Sequence, residues 1–277
     1  GSQTTSIGYG ALVTQNFTTA TNTGNTAVGY NAGTAVTTGQ QNTLVGALAG
    51  DSLTDGGENV AVGYNALSTE DANGRNVAIG NSALTTLNAG ATGNNTAVGY
   101  GAGASATTGL RNTFVGQSAG VTATTMEDSV AIGNDAAKFA TTAHSSVFIG
   151  ADAGQGITGA KLTGNQNTAV GAQAGFLLQG TATDNSLLGF GAGKAINTAV
   201  GNTLLGVNAG DTITTGSNNV IIGISCDVAT GGVANAIVIG DGVGAVGGGN
   251  FTFGNGTSDT NIAFANGAIS NPSDQRY

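Results

Sequence analysis

The chain has 277 residues, of which 50 are Gly, one is Pro and none is Trp; 8% are charged and the net charge is −9. That balance excludes a nucleic-acid binder, which needs clustered cations for phosphate, because the six cations Arg75, Arg111, Lys138, Lys161, Lys194 and Arg276 are scattered. An apolar share of 39% that recurs in register argues against disorder, and no apolar run reaches the length of a membrane span, so no membrane insertion is expected.

In chain order, one sentence is written repeatedly. Asn25–Gly33 reads NTAVGYNAG, Asn42–Gly50 reads NTLVGALAG, and Asn59–Leu67 reads NVAVGYNAL. Each unit can be anchored on the Gly that closes its apolar pair. The anchors are Gly8, Gly29, Gly46, Gly63, Gly80, Gly99, Gly116, Gly133, Gly150, Gly171, Gly189, Gly206, Gly223, Gly240 and Gly254. Nine of the fourteen intervals between them are 17 residues, and the others run from 14 to 21. A fixed unit that tolerates insertions is the mark of a repeat architecture.

Each slot has its own chemistry. The residue before the anchor is apolar in every unit, and those of the repeat body form the expected structural core: Val28, Val45, Val62, Ile79, Val98, Val115, Ile132, Ile149, Val170, Leu188, Leu205, Ile222 and Ile239. Their β-branched bias favours strand over helix. Four residues before the anchor sits an asparagine: Asn25, Asn42, Asn59, Asn76, Asn95, Asn112, Asn167, Asn185, Asn202 and Asn219. Asparagine suits turns and left-handed conformations, and stacked copies can form amide ladders. Three residues after the anchor comes Ala, replaced in the thirteenth unit by Cys226, which is expected to act as a small buried hydrophobe. A second strand is expected after the corner, often carrying a threonine pair such as Thr37-Thr38, Thr107-Thr108 or Thr214-Thr215. Two strands and two turns per unit define an all-β parallel β-solenoid of about 15 coils, roughly 70 Å long at ~4.8 Å per coil.

One further pattern bears on assembly. The residue two before the anchor is also apolar in most units, as at Ala27, Leu44, Phe114, Phe148 and Ile221. Adjacent strand positions face opposite sides of a sheet. Both faces of this strand therefore ask for burial, which one slim coil cannot supply. A homotrimer around a shared axis satisfies both faces; the alternative is a monomer that tolerates a largely alanine second face.

With these residues in view, the N-T-A-V-G-x-x-A-G coil resembles the left-handed parallel β-roll of trimeric autotransporter adhesin heads (YadA-like), a repeat that is also similar to those of phage tail fibres. The resemblance covers about Thr4 to Gly244 and departs from the family in its longer, 17-residue unit, which implies a longer outer turn. The tail NGAISNPSDQRY, Asn266–Tyr277, resembles the junction to an intramolecular chaperone of the chaperone-of-endosialidase type. It matches at Ser273, Asp274 and Arg276, which implies a cleavage junction between Pro272 and Ser273 in a longer parent. The expected organisation is a β-roll over 1–244, a glycine-rich neck over 245–271 and a junction remnant over 272–277. Gly1-Ser2, in place of Met and without a signal peptide, reads as a cloning scar on a fragment. The resemblance implies an extracellular fibre, on a cell surface or a virion, that attaches to a surface glycan or receptor.

Catalysis finds little support in the residues. His144 stands alone, and the nearest carboxylate pairs, Asp51/Asp55, Glu70/Asp71 and Glu127/Asp128, are expected as solvated turn residues. No nucleotide or calcium-repeat motif holds up, so neither cofactor nor metal is expected. Two alternatives are an ice-binding solenoid, suggested by the threonine pairs, and a polysaccharide-degrading tailspike. The places expected for a receptor site are the long units Gly8–Gly29, Gly80–Gly99 and Gly150–Gly171, and the Gly240–Gly256 end with Phe251, Phe253 and Phe264.

Overall fold

A computed structural model describes residues 3–16, 22–72, 74–90 and 93–263. The tail residues Phe264, Pro272, Ser273, Asp274 and Arg276 lie outside the described residues.

The chain winds as a parallel β-solenoid. Fifteen short parallel strands, from Thr5–Ile7 to Asn250–Gly254, stack in one sheet in sequence order and bound fourteen turns. Pairing preserves the repeat register, with Thr26 beside Thr43, Ala27 beside Leu44 and Val28 beside Val45. Each slot therefore becomes a column that runs the length of the sheet. Insertions do not disturb the columns: Thr168 still pairs with Val147 although their units are 21 residues apart.

The anchor glycines make the corner. Gly46 has φ of 136°. A Cβ there would overlap the carbonyl oxygen of Gly63 in the next coil. Only Gly meets both demands, the positive φ and the close approach of two backbones.

Three inward columns form the core. The first is the residue two before the anchor, from Ala27 and Leu44 to Val238, all at most 1% exposed. The second is the alanine column from Ala32 to Ala209, which Cys226 continues with no exposure. The third includes Val36, Leu53, Leu87, Ile196 and Ile213, seven residues after the anchor. Volumes compensate between neighbouring columns. Around Leu44, the position four after the anchor is Gly both in its own coil, Gly50, and in the coil before, Gly33, and a Cβ at either would run into the Leu44 side chain. Where the first column holds Ala61 or Ala78, that position becomes Leu67 or Leu84, both fully buried. The interior stays close-packed by trading bulk between columns.

The threonine-pair segment departs from expectation. It forms bends in most coils rather than a second strand, with only isolated bridges such as Leu110 to Glu127 and the two-residue pair Asp227–Val228 with Gly244–Ala245. The reason lies in its hydrogen bonds. The N–H and Oγ1 of Thr37 both donate to the Thr54 carbonyl, at 2.8 and 3.1 Å. Thr107 repeats the pattern on Thr124. A hydroxyl that shares the carbonyl with a backbone donor holds coil to coil without a regular ladder.

At the C-terminal end the strands lengthen to five residues, at Val220–Ile224, Ile237–Asp241 and Asn250–Gly254. The parallel stack thus continues past residue 244. Thr260–Ala263 then pairs antiparallel with Asn250–Phe253.

Candidate functional site

Two arrays give this solenoid its chemistry: a buried asparagine ladder and an outward apolar sheet face.

The ladder begins with an unmet donor. The residue before each asparagine sits in left-handed backbone, as at Gln41, Glu58 and Arg75, with φ of 59°, 60° and 64°. The left-handed geometry expected of the asparagine thus falls one residue earlier. The turn leaves the following N–H pointing along the stack, where a buried donor needs an acceptor. The Oδ1 of the asparagine one coil earlier supplies it. Asn25 Oδ1 accepts from the Asn42 N–H at 2.8 Å, and Asn42 Oδ1 from the Asn59 N–H at 3.0 Å. The side-chain amide faces the other way: Asn42 Nδ2 donates to the Gly56 carbonyl at 2.9 Å, across the same coil. All ten asparagines are buried.

Two units carry serine at this slot and keep the contact. Asn112 Oδ1 accepts from the Ser129 N–H at 3.2 Å, Ser129 Oγ from the Ser146 N–H at 3.1 Å, and Ser146 Oγ from the Asn167 N–H at 3.2 Å. Asn76 departs differently. Its Oδ1 accepts from the Asn95 N–H, but its Nδ2 finds no partner. The next interval is 19 residues instead of 17. Side-chain amides also bond directly at Asn185 to Asn167, Asn202 to Asn185 and Asn219 to Asn202, at 3.0 to 3.1 Å.

The expected core residues face outward from the single solenoid. None lies in the chain's own interior. Val28, Val45, Val62, Val98, Val115, Val170 and Ile222 are half-buried, while Ile79, Ile132, Ile149, Leu188, Leu205 and Ile239 are exposed. Strand alternation decides this: the residue two before the anchor takes the inward face, so its neighbour must point out. With the Thr/Val column two residues earlier, these side chains form an apolar sheet surface along the rod. Leu188 is 49% exposed and Leu205 43%. Together with Val170, Thr168, Ser186 and Thr203 they line an open hollow of about 290 Å³.

The charged groups occupy other places. Arg75 Nε donates to Glu58 at 2.8 Å, and Arg111 bridges to Glu127 and Asp128, all on the outer turn edge with exposed side chains. Glu70 overturns its reading as a solvated turn residue: it is fully buried, in the column of Val36 and Leu53. Asp51 is half-buried, and loss of hydration pushes its carboxyl above the ordinary range. Asp227 is pushed up to about 6, first by burial and further by its contact with the Asp211 carboxyl. Its oxygens accept the N–H groups of Thr212 at 3.0 Å and Val228 at 2.7 Å. His144 is half-buried, and its backbone N–H donates to Asn165 Oδ1 at 2.9 Å. Among the described residues no group of three His, Cys, Asp or Glu side chains converges as a metal site, and no helix is long and apolar enough to cross a membrane.

Of the long units, Gly150–Gly171 projects a small loop closed by the antiparallel bridge between Ile157 and Ala160. At the C-terminal end, Phe251 and Phe253 pack with ring centroids 5.1 Å apart. The sequence signal missed one array altogether. Tyr9, Tyr30, Tyr64 and Tyr100 all stand one residue after an anchor and all are more than half exposed.

No family model, no curated protein and no solved structure matches this chain.

Proposed function

We propose that the chain is the rod segment of an extracellular attachment fibre, on a virion or a bacterial surface, built from three coaxial copies and bound to its target through glycan. The observation that carries this reading is the outward apolar sheet face. It runs in register through the parallel strands, with side chains such as Ile149, Leu188 and Leu205 in water. A contiguous apolar surface of this kind marks an interface, and a straight column of identical slots is satisfied by straight columns of the same kind. Three copies that turn this face to a common axis bury it along the whole rod. The left-handed β-roll of YadA-like heads and related tail fibres is the arrangement that this reading adopts.

The measurement is the mass of the folded chain by light scattering. The expected value is three times 26.5 kDa. A lone 26.5 kDa particle ends the reading. Ice binding through the threonine pairs fits the geometry less well, because Thr37, Thr107 and Thr124 spend their hydroxyls on carbonyls of the next coil.

A further inference from the structure

The row of tyrosines one residue after the anchors is a second array, which runs beside the apolar columns of the sheet face. Tyr9 is 79% exposed, Tyr30 55%, Tyr64 51% and Tyr100 62%. Tyrosine has an apolar ring that water does not favour and a hydroxyl that it does, so an exposed series in one column is the chemistry of a recognition surface. The rings of Tyr9 and Tyr30 already stack, with centroids 5.8 Å apart and planes 11° apart. From Tyr30 onward the tyrosines fall on every second coil, with the smaller Ala47 and Asn81 between them. Two coils advance about 9.6 Å along the rod. Planar amides accompany the rings, since Asn31 and Asn65 follow Tyr30 and Tyr64 directly.

Charge narrows the ligand. Through the first six coils, neither this column nor the columns beside it on the sheet face contains a charged residue, although the chain as a whole carries −9. A polyanion would meet repulsion from the whole molecule and no cation in the row.

We infer that the tyrosine row is a binding track for a neutral, extended β-1,4-linked polysaccharide. Such a chain turns over at each successive sugar, so it presents the same face at every second ring, in step with tyrosines on every second coil. The apolar faces of the sugars lie against the phenol rings, and hydroxyls meet the tyrosine oxygens and the asparagine amides. The inference rests on the fibre reading in one respect: it requires that the copies meet on the apolar columns and leave the neighbouring tyrosine column in water.

The test uses the assembled full chain and two insoluble probes, microcrystalline cellulose and chitin, with free protein measured after sedimentation. Retention on at least one is expected, and the double variant Tyr64→Ala, Tyr100→Ala should weaken it about tenfold or more through the loss of two aromatic contacts. The paired Tyr→Phe variant should keep most of it. The chain has no Trp, and four of its five tyrosines belong to the row. Tyrosine emission should therefore change when soluble cello-oligosaccharide is added. Failure of the native chain to be retained by either probe overturns the inference, as does equal retention of the double alanine variant. Loss of the assembled mass in that variant also overturns it, because the row would then lie between subunits. A single-chain mass with retention ends the fibre reading and leaves this one standing; a threefold mass without retention does the reverse.

Discussion

Asn202 Oδ1 accepts the N–H of Asn219 at 3.0 Å, while Asn202 Nδ2 donates to the carbonyl of Gly216 at 3.0 Å. One buried side chain thus joins its own coil across the turn and fastens the coil after it.

Asn202→Ala should be strongly destabilising. It leaves a buried N–H and a buried carbonyl without partners, each worth about 1–3 kcal/mol. Asn76→Ser should behave otherwise. Serine keeps the acceptor, as Ser129 does for Ser146, and removes an amide donor that has no partner. Denaturant unfolding should show a loss of about 2–6 kcal/mol for the first variant and a neutral or stabilising change for the second.

Gly46→Ala should break the stack. It combines a φ of 136° with overlap on the Gly63 carbonyl, a backbone strain and clash together worth several kcal/mol, on the order of 3 or more. Gly159→Ala is the control, since a Cβ there meets nothing within 4 Å. Thermal melts should separate the two clearly.

The trade of bulk between columns can be tested by exchange. Ala61→Leu alone overpacks the interior and should cost about 1–3 kcal/mol. Leu67→Gly alone opens a cavity and should cost about 2–5 kcal/mol. Together they recreate the Leu44 and Gly50 arrangement of the preceding coil. The double variant should be more stable than the sum of the single effects, a favourable coupling that unfolding curves of all four proteins would measure.

Asp227 should make stability fall as pH rises. Its folded value, about 6, lies above that of an unfolded aspartate. Between about pH 4 and 6 the folded state therefore holds more proton than the unfolded state, and unfolding free energy decreases with pH across that window. Above it the loss is complete and constant. Asp227→Asn should flatten this part of the profile, seen as midpoints of chemical denaturation at pH 4, 5, 6 and 7.

Leu205→Glu should separate copies without unfolding the chain. The side chain points outward and is 43% exposed in the single solenoid. Light scattering should report the single-chain mass, with the circular dichroism unchanged.

The period, the strand positions and the asparagine slot were all legible in the sequence, because insertions vary the outer turns while the anchors hold their chemistry. The direction of each strand face was not. Ala27 and Val28 are both apolar, and nothing in the letters says which one looks inward until the corner at Gly29 is built. The interior of Glu70 was equally hidden: an acidic residue beside Asp71 reads as a turn, yet the column of Val36 and Leu53 carries it inside. The threonine pairs suggested a strand by composition, but their hydroxyls take a bonding role that pattern alone does not express. The tyrosine row escaped notice because its members are separated by 21, 34 and 36 residues and become neighbours only through winding.

The antiparallel strand Thr260–Ala263 gives the rod a polarity of ends. At the other end of the described sheet stands Thr5–Ile7, which pairs parallel with Thr26–Val28. A coil that kept the repeat's direction would run parallel to Asn250–Gly254, the place that the antiparallel Thr260–Ala263 takes. The parallel winding of the repeat therefore stops at Thr260–Ala263, and the sheet changes from parallel to mixed at that strand.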